Sequence, residues 1–205
     1  MATIAPSPHL RDRCAVAGAG TSRLGKVPGV SSQGLLEEAM KNALDDAGLT
    51  TRDVDGLICR GPDEIYSFHQ VMGARLGIDA GFSTTLTNGG ASQVLGVALA
   101  TMAIEAGLAS TVIVGFGRNN WSRVHANPTN HMRGSARPAE MEGAEFGPEF
   151  GYYGAVAAHG FGAQRHMHEY GTTREQFGAI ALAFREHALR NPDAAMKKPL
   201  SMEDY

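Results

Sequence analysis

The chain has 205 residues, 43% of them hydrophobic and 19% charged, with a formal net charge of -3 and two cysteines. That balance excludes a disordered polypeptide, a polybasic nucleic-acid surface and a disulfide framework, and no run is long and apolar enough for a membrane anchor. What remains is a soluble, enzyme-like domain.

Residues 1–12, MATIAPSPHLRD, have no apolar signal-peptide core and read as a loose arm, from which a cytoplasmic location is expected. Cys14 to Ala19 reads as a buried strand. Leu35, Leu36, Ala39, Met40, Ala43, Leu44 and Ala47 then recur at helical spacing, opened by Ser31 or Ser32 and stopped by Gly48. A strand follows at Asp55 to Cys59, a helix at Tyr66 to Leu76, a strand at Phe82 to Thr87, a long apolar helix ending at Gly107, and a strand at Thr111 to Phe116. Strands separated by helices of this length imply a parallel sheet with right-handed crossovers, hence an α/β layered fold. Cys14 and Cys59, each in or beside a strand-like run, read as buried structural thiols.

Between Gly117 and Gly151 no period of 2 or 3.6 survives. A long irregular insert in a compact domain is usually functional or mobile. Helical signals return from Ala155 to Tyr170, and Thr173 with Gln176 forms a capping box for the helix that stops before Pro192.

The turn Thr87-Asn88-Gly89-Gly90-Ala91-Ser92-Gln93 carries the most chemistry. It leads from a strand into the apolar helix as a nucleophile-bearing turn would, yet it places Ala91 where the nucleophile would stand. Gly89 and Gly90 give the backbone freedom for a sharp fold and a close substrate approach. The helix N-terminus aims N–H groups and positive dipole at the same point, which suits an oxyanion or a thioester carbonyl. From Asn88 to Ile104 no side chain is charged, so this helix is expected to be buried between layers.

Other motifs fail on inspection. Gly18-Ala19-Gly20 follows a strand, but Arg23 takes the third glycine position of a dinucleotide fingerprint. Ser92 lacks the closing glycine of a hydrolase elbow and is also an ordinary first-turn residue. His159, His166 and His168 do not share a helix face as metal ligands would, and no metal site is expected.

Taken together, the βαβαβ opening, the GG-x-S turn before an uncharged helix, the AIEAG-like end at Ala103 to Gly107, the strand TVIVGFG, the insert and the stretch from Thr172 to Tyr205 resemble the N-terminal half of a thiolase of the lipid-transfer-protein or sterol-carrier type. The resemblance covers nearly the whole chain. It implies a thiolase-like layered fold with a parallel-dominated sheet, a buried central helix and an irregular loop insert. Residues 13–117 would form the core half, 118–152 the insert, and 153–205 a helical part leading toward a fifth strand. A thiolase subunit has two similar halves, so a fragment or a chain completed by a second polypeptide is implied, with one face of the central helix uncovered.

The position matched by Ala91 holds the acyl-accepting cysteine in catalytic thiolases, so the covalent route of that family is not available at this turn. The GGAS form looks like that of thiolase-like aldolases, which cleave a β-hydroxy acyl-CoA without a cysteine and pair with an OB-fold, zinc-ribbon partner. The implied site is Gly89, Gly90, Ala91 and Ser92. Arg118, Trp121, Arg123, His125 and Arg133 are expected near coenzyme A, which enters as part of the substrate, with no covalently bound cofactor. A homodimer through the strand at Phe82 to Thr87 is also implied. An ordinary thiolase or acyltransferase, and a non-catalytic scaffold or lipid-binding subunit, are the competing readings.

Overall fold

A computed structural model describes residues 10–62, 65–122, 150 and 154–205. The chain divides into two compact units, Met1–Arg23 with Val27–Asn119, and Leu24–Lys26 with Asn120–Tyr205.

In the first unit α1 spans Ser32–Ala47. Ser31 caps it, its hydroxyl accepting from the Gly34 N–H at 3.0 Å, and Gly48 ends it in the left-handed region at φ 67°. β1 (Gly56–Arg60), α2 (Phe68–Leu76), β2 (Phe82–Thr85), α3 (Ser92–Glu105) and β3 (Val112–Phe116) follow. The three strands form a parallel sheet in the order β2-β1-β3. Period-2 alternation sends Leu57 and Cys59 toward α1 and α2, where they join Leu36, Met40, Phe68 and Met72 in the main core. Ile58 faces the other way and packs with Leu86 and Ala100 beneath α3. Two helices on one face and one on the other make three layers.

Two expectations change. The segment from Cys14 to Ala19 pairs with no strand, and Cys14 is exposed rather than buried. Burial of α3 is one-sided as well. Ser92, Gly96, Ala100 and Ala103 face the sheet, while Val94 is 77% and Val97 50% exposed. Gly96 lies so close to the sheet that an added Cβ would stand 2.6 Å from Val114 Cγ1.

The second unit contains α4 (Gly154–Tyr170) and α5 (Arg174–Arg190). The expected capping box is present, with the Thr173 N–H donating to Gln176 Oε1 at 2.8 Å and the Gln176 N–H to Thr173 Oγ1 at 3.4 Å. After α5 the chain folds back, so that Tyr205 lies under the Arg174 guanidinium at 5.4 Å and against Gly178.

Candidate active site

All three strands run the same way, so their carboxyl ends share one edge, where ligands bind in open α/β sheets. β2 delivers the glycine turn there. The Leu86 N–H donates to Cys59 O at 2.9 Å, continuing the alignment by one residue. Gly89 then takes φ 58°, a conformation that penalises any side chain, and Gly89–Ala91 form one tight 3-10 turn running into α3. The Ala91 N–H closes it onto Asn88 O at 3.3 Å. Gly90 is different from expectation: its φ is not positive and an added Cβ would meet nothing within 4 Å, so open space rather than backbone geometry distinguishes it.

Gly89, Gly90 and Ala91 are exposed, whereas Ser92 is fully buried. The Ser92 hydroxyl donates to Gly89 O at 2.9 Å and so staples the turn to the first residue of α3. Its placement suits a positioning role. No acid occupies the first turn of α3, so the positive end of the helix stands without a compensating carboxylate of its own.

Around this edge the structure gathers residues that the sequence did not single out. Arg60 ends β1 on the Ile58 side, the side of α3, with its guanidinium 5.2 Å from the centre of the Phe116 ring. His69 opens α2. Its N–H donates to Thr85 Oγ1 at 2.9 Å and its Nδ1 lies 2.8 Å from the same oxygen. Desolvation holds the His69 pKa below the ordinary value, which favours the neutral imidazole. Asn119, just after β3, donates from its backbone N–H to Ser32 Oγ at 3.0 Å and from Nδ2 to Val30 O at 2.5 Å, fastening the exit of β3 to the start of α1. The legible signals were a strand ending in a charge for Arg60 and a polar residue at a helix start for His69.

Of the residues expected near coenzyme A, Arg118 is half-buried directly after β3 in the first unit, at this same edge. Trp121 is exposed and belongs to the second unit. Arg123, His125 and Arg133 lie outside the described residues. Cys59 is 1% exposed in the core, and burial pushes its thiol up to about 12. Neither cysteine belongs to the turn. His166 meets Tyr170 in a tilted ring contact, centres 4.8 Å apart, within the second unit. Among the described residues no group of three or more His, Cys, Asp or Glu could hold a metal ion, and no helix is long and apolar enough to cross a membrane.

The family model of the thiolase N-terminal domain matches residues 14–202. The chain is 32% identical over 192 residues to a steroid side-chain-cleaving aldolase of Thermomonospora curvata, covering 93% of this chain and 49% of that protein. It is 30% identical over 197 residues to a 17-hydroxy-3-oxo-4-pregnene-20-carboxyl-CoA lyase of Mycobacterium tuberculosis, covering 96% and 51%. A solved Ltp2-ChsH2(DUF35) aldolase superposes with a TM-score of 0.74 at 30% identity, over 93% of this chain and 47% of that one. The chain thus spans about half the length of the curated relatives it matches.

Proposed function

The chain belongs to the thiolase N-terminal-domain family, and from that premise we propose that it is one half of an acyl-CoA lyase that breaks a carbon–carbon bond next to the thioester without a cysteine nucleophile. The observation that carries the proposal is the turn itself: an exposed Gly89-Gly90-Ala91 backbone at the head of α3, with alanine in place of a thiol.

The reaction is a retro-aldol cleavage of a β-hydroxy acyl-CoA. A base removes the proton of the β-hydroxyl, the Cα–Cβ bond breaks, and its electron pair moves onto the thioester carbonyl as an enolate. Protonation at Cα releases a shortened acyl-CoA, while Cβ leaves as a ketone or aldehyde. This half contributes the turn, whose backbone and helix dipole stabilise the enolate oxygen, with Ser92 holding its shape. The proton carrier belongs to the part of the assembled protein that this chain does not span. Arg118, with Arg123, His125, Arg133 and Trp121 of the insert, contacts coenzyme A, since guanidinium groups pair well with phosphates.

The names of the relatives support a steroid-type side chain as the acyl group and a DUF35 protein as partner, in the place where the resemblance implies an OB-fold, zinc-ribbon protein. The free edge of β2, with the uncharged Ser83, Thr84 and Thr85, supports a two-fold homodimer. The test incubates the assembled protein with a steroid-type β-hydroxy acyl-CoA and follows products by mass spectrometry. A ketone and a shortened acyl-CoA in equal amounts are expected. A covalent acyl adduct with CoA-dependent thiolysis would return the protein to the ordinary thiolases, and binding without turnover would leave a scaffold.

A further inference from the structure

α2 begins without help from its own N-cap residue. Ser67 precedes it in the left-handed region at φ 50°, and its side chain caps no N–H. Such a conformation in a residue other than glycine persists only where the surroundings hold it. Two neighbours do so. Gly61, just past β1, makes room for the fully buried Phe68, whose ring would stand 2.5 Å from an added Cβ. Thr85, the last residue of β2, supplies the missing cap from another element, its hydroxyl oxygen accepting the His69 N–H at 2.9 Å.

The same oxygen lies 2.8 Å from His69 Nδ1. A hydroxyl carries one hydrogen to donate and two lone pairs. With the backbone N–H on a lone pair, the Thr85 hydrogen is left for the ring, so Thr85 O–H donates to Nδ1. The proton of the neutral imidazole then sits on Nε2, and the strand sets the tautomer. Thr85 is aligned with Cys59 and grips α2 from the α1 and α2 side of the sheet, opposite α3.

Beyond Thr85 the chain runs into the glycine turn. The Leu86 N–H donates to Cys59 O at 2.9 Å, Thr87 and Asn88 are exposed, and the Ser92 hydroxyl donates to Gly89 O at 2.9 Å. The turn is strung between two clamps on opposite faces of the sheet, Ser92 at the head of α3 and His69 with Thr85 at the end of β2.

We propose that His69 is a positioning residue for the Gly89-Gly90-Ala91 turn: through Nδ1 and the Thr85 hydroxyl it fixes the end of β2, and with it the backbone that meets the acyl thioester. Its part in the reaction rests on the lyase reading, whereas the clamp itself does not. A reacting group misplaced by about 1 Å costs about a hundredfold in rate, so a modest loosening of this strand end is felt in kcat.

Asparagine places an amide oxygen where Nδ1 stands, and glutamine places its amide where Nε2 stands. His69→Gln and Thr85→Val, each shown to be folded by circular dichroism in the assembled protein, are expected to lower kcat about tenfold or more with KM within about twofold. Both should speed hydrogen exchange in the peptide from Leu86 to Ser92. His69→Asn is expected to keep kcat within about threefold of the parent, with the parent's exchange rate. The nitrogen-15 spectrum of labelled histidine in the parent should show His69 with Nδ1 bare and Nε2 protonated at neutral pH. Parent-like kcat and exchange in His69→Gln and Thr85→Val overturn the proposal. So does a His69→Asn variant that fares no better than His69→Gln, a loss carried by KM alone, or a proton on Nδ1. A parent that cleaves no β-hydroxy acyl-CoA defeats the lyase reading instead, and the exchange rates and the spectrum then decide the clamp.

Discussion

Asp55 and Ser110 close a loop across 55 positions of sequence: both Asp55 carboxylate oxygens accept the Ser110 N–H at 2.9 Å, and Oδ2 accepts the Ser110 hydroxyl at 2.6 Å. Oδ1 also accepts from the Thr111 N–H at 2.8 Å, and the backbone oxygen of Asp55 accepts from Gly81 N–H at 2.9 Å. One residue therefore ties together the starts of β1, β2 and β3, and with them the alignment of their far ends.

Those bonds, from the Ser110 side chain first and then the Thr111 N–H, hold the Asp55 pKa below the ordinary value of 3.8. Because the folded-state pKa is depressed, the stabilisation is present above the unfolded value and is lost as pH falls through the folded one. Asp55→Ala is expected to cost about 1 to 3 kcal/mol at neutral pH, the worth of a hydrogen bond to a charged group. Urea unfolding of both proteins from pH 7 downward checks this: the gap between their midpoints should narrow below pH 4.

Gly96→Leu should be harsher than its helix propensity suggests. Leucine is a better helix former than glycine, but the side chain enters space already held by Val114, Ile58 and Leu86. Overpacking of this kind costs about 1 to 3 kcal/mol. A thermal melt no lower than the parent's would show that α3 can lift off the sheet freely.

Ala91→Cys restores a thiol at the turn. The proposed lyase reaction uses no thiol, so on that reading the assembled parent keeps its activity after treatment with iodoacetamide, since the thiolate is the species that reagent needs. The Ala91→Cys variant should gain an adduct at position 91 by peptide mass spectrometry and lose activity in proportion. Equal sensitivity of parent and variant would mean that a cysteine takes part after all.

Val94, Val97, Met102 and Leu108 give the chain an exposed apolar surface on and just after α3. Each such side chain is worth about 1.5 to 3 kcal/mol on burial, against a domain stability of about 5 to 15 kcal/mol. The chain alone is expected to bind a hydrophobic dye and to associate at micromolar concentration, and the assembled form to release most of the dye. Dye binding that is low in the chain alone contradicts this reading of α3.

Features decided within a few residues were legible from sequence. Ser31, Gly48 and the Thr173 and Gln176 pair act locally, and each appears where its chemistry placed it. Gly107 is likewise left-handed at φ 70°, with the Leu108 N–H reaching back to Ala103 O at 2.9 Å. The parallel order followed from helices of crossover length between strands. Cys14 to Ala19 was misread because a strand is defined by its partner, and alternation alone carries no information about whether one is present. The contact of His69 with Thr85 and the stacking of Arg60 on Phe116 join residues from different elements, so no local pattern announces them. Ser92 read as an ordinary first-turn serine rather than a nucleophile, and its burial and its bond to Gly89 O agree with that structural place.

The fully buried residues of α3 are Ser92, Gly96, Ala100 and Ala103, none larger than an alanine or serine, with the half-buried Leu99 beside them. At Gly96 so little lies between helix and sheet that the height of α3 is set there by backbone standing almost directly on the side chains of Val114 and Ile58. The turn at Gly89 to Ala91 is carried on the end of that rigid rod. A substitution at Gly96 or Ala100, one or two helical turns away, would shift the helix and with it the turn that we propose as part of the acyl-CoA site. The placement of the turn is thus written in residues that stand apart from it.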